Sequence, residues 1–334
     1  MKNTIWFPFV ENIKANDILV NLEFDDFFDH AAVLAHTGQK FEYQQLGKGT
    51  YEGRLLYAPL GDVSIQVEYS SQSLEKSVEV KSDSFTFVMS GSNTGQYGLP
   101  TRANETPDWI QVFPPSAEHV AITPPDTTLT VIRVKKDTLL GNQALLPEVC
   151  QWLADLDRLP VLLNATSHAN RLRSDIAVGL EILNSADLLK YRSLLDINLA
   201  TSVASTLSQL WLLNWSFPSV KASRTRERFL SMRKILLEVE PQLERFYAGA
   251  TQQFGSKRLI QKVFADQVKM SPLAYSKTLR LHNARRKLLD ETLLFKSIGE
   301  IAAEEGFWEW SRFTTYYREQ FGELPSETRA KTAG

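Results

Sequence analysis

Arg258, Gln261 and Lys262 stand at spacing i, i+3 and i+4, which puts a guanidinium, an amide and an ammonium on one strip of a helix. Arg and Lys pair with the major-groove edge of guanine, and Gln pairs with that of adenine. Ser256 and Lys257 precede them, with Ser256 placed to cap the helix, and Ile260, Val263 and Phe264 supply an apolar stripe on its other side. A second set follows nearer the C-terminus. There Phe313, Tyr317 and Phe321 recur every four residues and must face a core. The opposite side carries Ser311, Thr315 and Arg318, with Thr314 at its shoulder and Trp310 and Arg312 alongside. Such a face is short, polar and hydrogen-bonding, as a helix lying in a DNA major groove must be. The eleven side chains Ser256, Lys257, Arg258, Gln261, Lys262, Trp310, Ser311, Arg312, Thr314, Thr315 and Arg318 are therefore the candidate DNA contacts.

The elements that would hold these faces are legible around them. Residues 297–328 read as a short helix bearing Ile301 and Ala302, a tight turn at Gly306 and a second helix. Ile298, Ile301, Ala302, Gly306, Phe307, Ser311, Phe313, Phe321, Gly322, Pro325 and Ser326 fall at fixed spacing, and this pattern resembles the second helix-turn-helix of the AraC/XylS family of bacterial transcription regulators. The Phe307-Trp308 pair, Tyr317 and the run FGELPSET are similar to the subgroup containing the ethanolamine-operon regulators. Thr315 departs from the family habit of Arg or Lys at that place, so no base preference carries over. The family has two such motifs, and residues 254–289 supply the other: Ser271-Pro272 starts a long helix, and RLHNARRKLL fits the family's connecting helix. The segment LERFYAGATQQ, where the first helix of that motif belongs, fits the pattern poorly.

Charge agrees with this placement. The chain of 334 residues is near neutral at −2, yet residues 221–334 hold 21 Lys plus Arg against 14 Asp plus Glu, leaving 16 against 25 for residues 1–220. A basic end attracts the phosphate backbone through counterion release, whereas the acidic remainder is unsuited to it. The single cysteine, Cys150, rules out an intrachain disulfide and a multi-cysteine metal site, and reads as a packed small hydrophobe. The opening MKNTIWFPFV, broken by Pro8 and followed by Glu11, predicts no secretory leader, and no run approaches a membrane span. A cytoplasmic, nucleoid-associated chain is expected.

From about Lys40 to Val134 the texture changes to short β-rich runs, among them KFEYQQL, DVSIQVEYS, DSFTFVMS and TTLTVIRV, parted by Gly and Pro. Residue pattern alone indicates all-β; the resemblance implies a cupin-like barrel that senses a small molecule. Enzymatic cupins hold a metal with clustered histidines, but only His119 of the five histidines falls in this region, and no nucleophile elbow, P-loop or dinucleotide fingerprint occurs. No enzyme, metal or cofactor is expected. Alternation puts Phe85, Phe87 and Met89 on one face, and with Tyr97 and Trp109 these are the candidate effector-binding residues; the alternative is that they only fill the barrel.

Residues 143–215 are rich in Leu, Ile and Ala and fit two long helices split near Tyr191; in the family such helices often pair across a dimer. Pro218 breaks the chain before the C-terminal part. The expected architecture is an α+β multidomain protein: a β-rich, cupin-like effector domain over 1–142, a helical linker and dimerisation region over 143–215, and an all-α tandem helix-turn-helix domain over 216–334. The resemblance implies a small-molecule-responsive activator, homodimeric, binding promoter DNA and RNA polymerase. The alternative is a ligand-independent regulator whose N-terminal part serves dimerisation or partner docking.

Overall fold

In a computed structural model the structure describes residues 19–37, 39–90, 109–156, 161–164, 166–185, 190–214, 224–239 and 242–331. The N-terminal part contains β1 (Val20–Phe24), α1 (Phe27–Ala35), β2 (Lys40–Gln45), β3 (Gly53–Pro59), β4 (Val63–Ser70), β5 (Leu74–Glu79), β6 (Ser84–Ser90), β7 (Trp109–Phe113), β8 (Glu118–Thr123) and β9 (Thr127–Lys135). Next come α2 (Lys136–Leu140), α3 (Pro147–Ala154), β10 (Val161–Asn164), α4 (Thr166–Asn184) and α5 (Arg192–Asn214). The C-terminal part is helical: α6 (Arg224–Val239), α7 (Leu243–Phe254), α8 (Lys257–Val268), α9 (Pro272–Leu288), α10 (Ile298–Glu304), α11 (Trp310–Phe321) and α12 (Pro325–Ala330).

The strands form a seven-stranded sheet in the order β1-β3-β4-β9-β6-β7-β10 and a three-stranded sheet in the order β2-β5-β8, with every pairing antiparallel. The two sheets are not joined by backbone pairing into a closed barrel among the described residues, so the expected cupin-like barrel gives way to two facing sheets. The sequence reading also missed β10, which leaves the helical segment to pair with β7 through Val161↔Val112 and Leu163↔Ile110.

Alternation decides what each face of the large sheet covers. Ile65 and Val67 of β4, Phe85, Phe87 and Met89 of β6, and Ile132 and Val134 of β9 turn to one side. There they form a single core with Leu172, Ile176 and Leu180 of α4 and Leu199, Val203 and Leu207 of α5. Cys150 packs against that core, half-buried. The residues between them, such as Thr86, Gln111, Val131 and Arg133, face the small sheet across a cavity.

The outer side of the small sheet meets the C-terminal helices. Leu46 and Ile122 share a core with Phe229, Phe246, Phe264 and Tyr275. Phe27, Tyr43, Tyr51 and Leu74 share another with Leu281, Leu288, Phe313, Tyr317 and Phe321. The molecule is thus layered as helices α4 and α5, large sheet, cavity, small sheet, and the C-terminal helices.

Candidate functional site

The C-terminal helices begin where local chemistry dictates. Ser256 caps α8 by accepting from the Leu259 amide at 3.3 Å, and Ser271 caps α9 from the Ala274 amide at 3.2 Å, with Pro272 opening the first turn. Ser297 and Glu300 form a reciprocal capping box at α10, with distances of 3.2 and 2.7 Å. Gly306 takes φ +75° in the turn between α10 and α11, and Gly322 takes φ +76° to end α11.

These caps define two helix-turn-helix units, α7–α8 and α10–α11, joined by α9. The poorly patterned LERFYAGATQQ segment is α7, with Phe246 and Ala250 buried. In α8, Ile260, Val263 and Phe264 are buried, while Ser256, Lys257, Arg258, Gln261 and Lys262 are exposed on the other side. In α11, Phe313, Tyr317 and Phe321 are buried, and Trp310, Ser311, Arg312, Thr315 and Arg318 are exposed, with Thr314 half-buried. The Thr315 hydroxyl donates to the Ser311 carbonyl at 2.9 Å, and that of Thr314 to the Trp310 carbonyl at 3.1 Å. Arg312 is held by Glu309 at 3.0 Å, and Lys257 lies over the Tyr247 ring at 5.3 Å.

The C-terminal helices are fastened to the N-terminal part, through α6, α9 and α11, by buried polar contacts that sequence reasoning did not foresee. Glu75 of β5 accepts from Arg233 of α6 at 2.8 Å and from the Tyr275 hydroxyl of α9 at 2.5 Å. Arg226 donates to the Val120 carbonyl of β8. On the second unit, Gln320 donates to the carbonyls of Gln45 at 2.8 Å and Gly47 at 2.9 Å, and Gln45 donates back to the Gln320 carbonyl at 3.0 Å. His282 donates through Nε2 to the Gln45 carbonyl at 2.9 Å. Arg285 pairs with Asp26 and with Glu323 and stacks over Phe321. This seam takes the C-terminal end of α11 and leaves its outward side open.

The second feature is the cavity between the sheets, of about 70 Å³. Phe41, Val78, Phe113 and Val131 give it apolar walls, and Glu68, Lys76, His119 and Arg133 bring ionisable groups into it. Glu68 is ion-paired with Lys76 and accepts from the Tyr43 hydroxyl at 2.8 Å. Burial opposes its charge, but the Lys76 ammonium, helped by the Tyr43 hydroxyl, brings the Glu68 carboxyl below its usual range. Burial, with Arg226 adding to it, pushes His119 down to about 3, so it is neutral.

The sequence-based effector candidates Phe85, Phe87 and Met89 lie on the opposite face of β6, packed under α4 and α5. The cavity takes the alternate residues Thr86 and Val88 instead. Trp109 starts β7, and Tyr97 lies outside the described residues. Sequence reasoning missed Arg133, although a lone charge in the run TTLTVIRV was a usable signal. Among the described residues no group of three or more His, Cys, Asp or Glu stands together as a metal site, and no helix is long and apolar enough to cross a membrane.

Residues 250–331 match a family model described as a helix-turn-helix domain. A stretch of 73 residues is 36% identical to the XylDLEGF operon transcriptional activator 2 of Pseudomonas putida, covering 22% of this chain and 46% of that protein. It is 37% identical over 73 residues to the XylDLEGF operon transcriptional activator of the same organism, covering 22% and 23%. The chain therefore spans less than half the length of these curated relatives. Among solved structures it is similar to the AraC-like transcriptional activator CuxR, at 13% identity and TM-score 0.39 over 79% of this chain and 95% of that one. ToxT from Vibrio cholerae O395 is also similar, at 13% identity and TM-score 0.27 over 89% and 99%.

Proposed function

We propose that this chain, whose C-terminal part is a helix-turn-helix domain of the AraC/XylS family, is a sequence-specific DNA-binding transcription regulator, an activator that responds to a small molecule. The observation that carries the reading is the division of α8 and α11. Each buries an aromatic or aliphatic stripe in a shared core and leaves a polar or basic face exposed. Helices so divided and held on one connecting helix suit two major-groove segments about one turn (~34 Å) apart on the same side of the duplex.

The exposed apolar side chains Leu194, Ile197, Leu212 and Leu213 of α5 support a homodimer in which a second copy covers them. RNA polymerase is the partner expected of an activator. The inter-sheet cavity supports the small-molecule reading. β5 lends one side to that cavity through Lys76 and the other to the clamp on α6 and α9 through Glu75. A ligand acts through this link only by binding the DNA-competent arrangement with a different affinity from the other.

The test is genome-wide occupancy of the tagged protein, followed by footprinting at the peaks. Discrete peaks sharing a motif, with protection over successive major grooves on one face, are expected. Diffuse occupancy together with no sequence preference in purified protein would overturn the reading.

A further inference from the structure

Four polar side chains lining the inter-sheet cavity have a buried atom with no hydrogen-bond partner among the described residues: Arg133 Nε, Thr86 Oγ1, Gln111 Nε2 and Gln39 Nε2. Buried polar groups are otherwise almost always satisfied, so four around one small cavity point to something that is meant to sit there. Three of the four are neighbours. Thr86 and Arg133 are direct cross-strand partners on β6 and β9, and Gln111 sits on β7 opposite Val88, one diagonal step from Thr86. They are 5%, 6% and 4% exposed.

The charges in the cavity do not cancel. Lys76 and Glu68 neutralise one another in an ion pair. Arg133 donates to the Gln66 amide oxygen at 2.5 Å, and among the described residues no carboxylate stands within ion-pair distance of it. Burial pushes its guanidinium down to about 10, which leaves it charged at neutral pH. A buried cation without a counter-charge is costly, and an anion that accepts its free N–H removes that cost. Around this polar patch the walls are apolar, from Phe41, Val78, Phe113 and Val131.

We propose that the cavity binds a short, slender carboxylate with an apolar chain, its carboxylate held by Arg133, Thr86 and Gln111 and its chain lying between Phe41, Val78, Phe113 and Val131. The proposal rests on the small-molecule reading given above and adds the class of the ligand. A single uncompensated cation suits a singly charged carboxylate better than a doubly charged phosphate, and guanidinium N–H groups match carboxylate geometry. The volume of about 70 Å³ limits the occupant to a short, unbranched chain.

Saturation-transfer NMR on the full-length protein, titrated with butanoate and with butan-1-ol, tests this. The wild type is expected to bind butanoate about tenfold or more tightly than the alcohol, the difference a charged hydrogen bond makes. Arg133→Gln should bring the two within about threefold, as a neutral hydrogen bond would. Ala121→Phe, which fills the cavity from β8, should abolish both. If Arg133→Gln fails to fold by circular dichroism, Thr86→Val and Gln111→Leu replace it, each expected to weaken butanoate and spare butan-1-ol. Equal binding of the two probes, butanoate binding that survives Ala121→Phe, or no binding beyond water in the cavity would each overturn the proposal. Specific DNA binding by the same preparation is measured separately. DNA binding without butanoate binding sinks the ligand class and leaves the regulator standing; butanoate binding without DNA binding does the reverse.

Discussion

Arg258 and Arg318 are both exposed arginines on the polar faces of α8 and α11, but they occupy opposite ends of their helices. Arg258 stands in the first turn of α8, the end of a recognition helix that reaches base edges, whereas Arg318 stands in the last turn of α11, next to the seam with the N-terminal part. Arg258→Ala should therefore cost about 1–3 kcal/mol of discrimination between specific and random DNA. Arg318→Ala should weaken both alike and lower the salt slope by about one. Fluorescence anisotropy titrations over a range of salt separate these outcomes, and equal loss on both DNAs for Arg258→Ala would remove it from base readout. At this scale the exposed faces of α8 and α11 were legible because a helix repeats every 3.6 residues and its two faces differ in kind. Arg133 was only half legible: the lone charge in TTLTVIRV marks it, but that no carboxylate pairs with it depends on strands distant in sequence. The aromatic row Phe85, Phe87 and Met89 drew attention by size, yet in a sheet covered on both sides the smaller alternate residues are the ones that face the cavity.

Two glycines that end helices distinguish local backbone need from tertiary packing. Gly255, after α7, has φ +102°, and a Cβ there would meet nothing within 4 Å. Gly322, after α11, has φ +76°, and a Cβ there would lie 2.6 Å from Thr50 Cγ2 and 2.9 Å from the Thr50 amide nitrogen. Gly255→Ala should cost about 1–2 kcal/mol from backbone strain alone. Gly322→Ala should cost that and about 1–3 kcal/mol more for the overlap with the β2–β3 loop. Urea unfolding of the two variants measures the difference, and Thr50→Gly should recover part of the loss for Gly322→Ala and none for Gly255→Ala. The helices of the second motif could be read from their pattern with near-correct ends, since caps and turn glycines are local signals. β5 could not: LEKSVE shows no clean apolar alternation because Lys76 faces the cavity while Glu75 faces α6 and α9, so both faces are polar yet buried.

Across the whole molecule three histidines are buried and uncharged. Burial pushes His30 down to about 4, against a smaller opposing pull from Glu68. It pushes His119 and His282 to about 3, each with nearby arginines adding to the effect. In the unfolded chain these side chains take up protons near 6.5, whereas the folded protein refuses them. The stability they contribute is complete above that value and is lost as the pH falls through the window from 6.5 towards 4. Each contributes a slope of up to about 1.4 kcal/mol per pH unit. Denaturant unfolding between pH 7 and 5, before the carboxylates titrate, should show a steep fall in the midpoint; a flat profile would contradict the burial of these rings. Two of the three lie at the joint between the halves: His282 donates to the Gln45 carbonyl and His119 neighbours Arg226. That joint also bears on how the chain may be divided. Leu281, Leu288, Tyr317 and Phe321 share one core with Phe27, Tyr43 and Leu74, and Arg285 divides its charge between Asp26 and Glu323. Cutting the gene after the N-terminal sheets would bare an oily surface on the C-terminal half and take away one of Arg285's two carboxylates. The helix-turn-helix half is no interchangeable cassette; grafted onto another N-terminal part, it would need a new surface to lean on as well as a new linker.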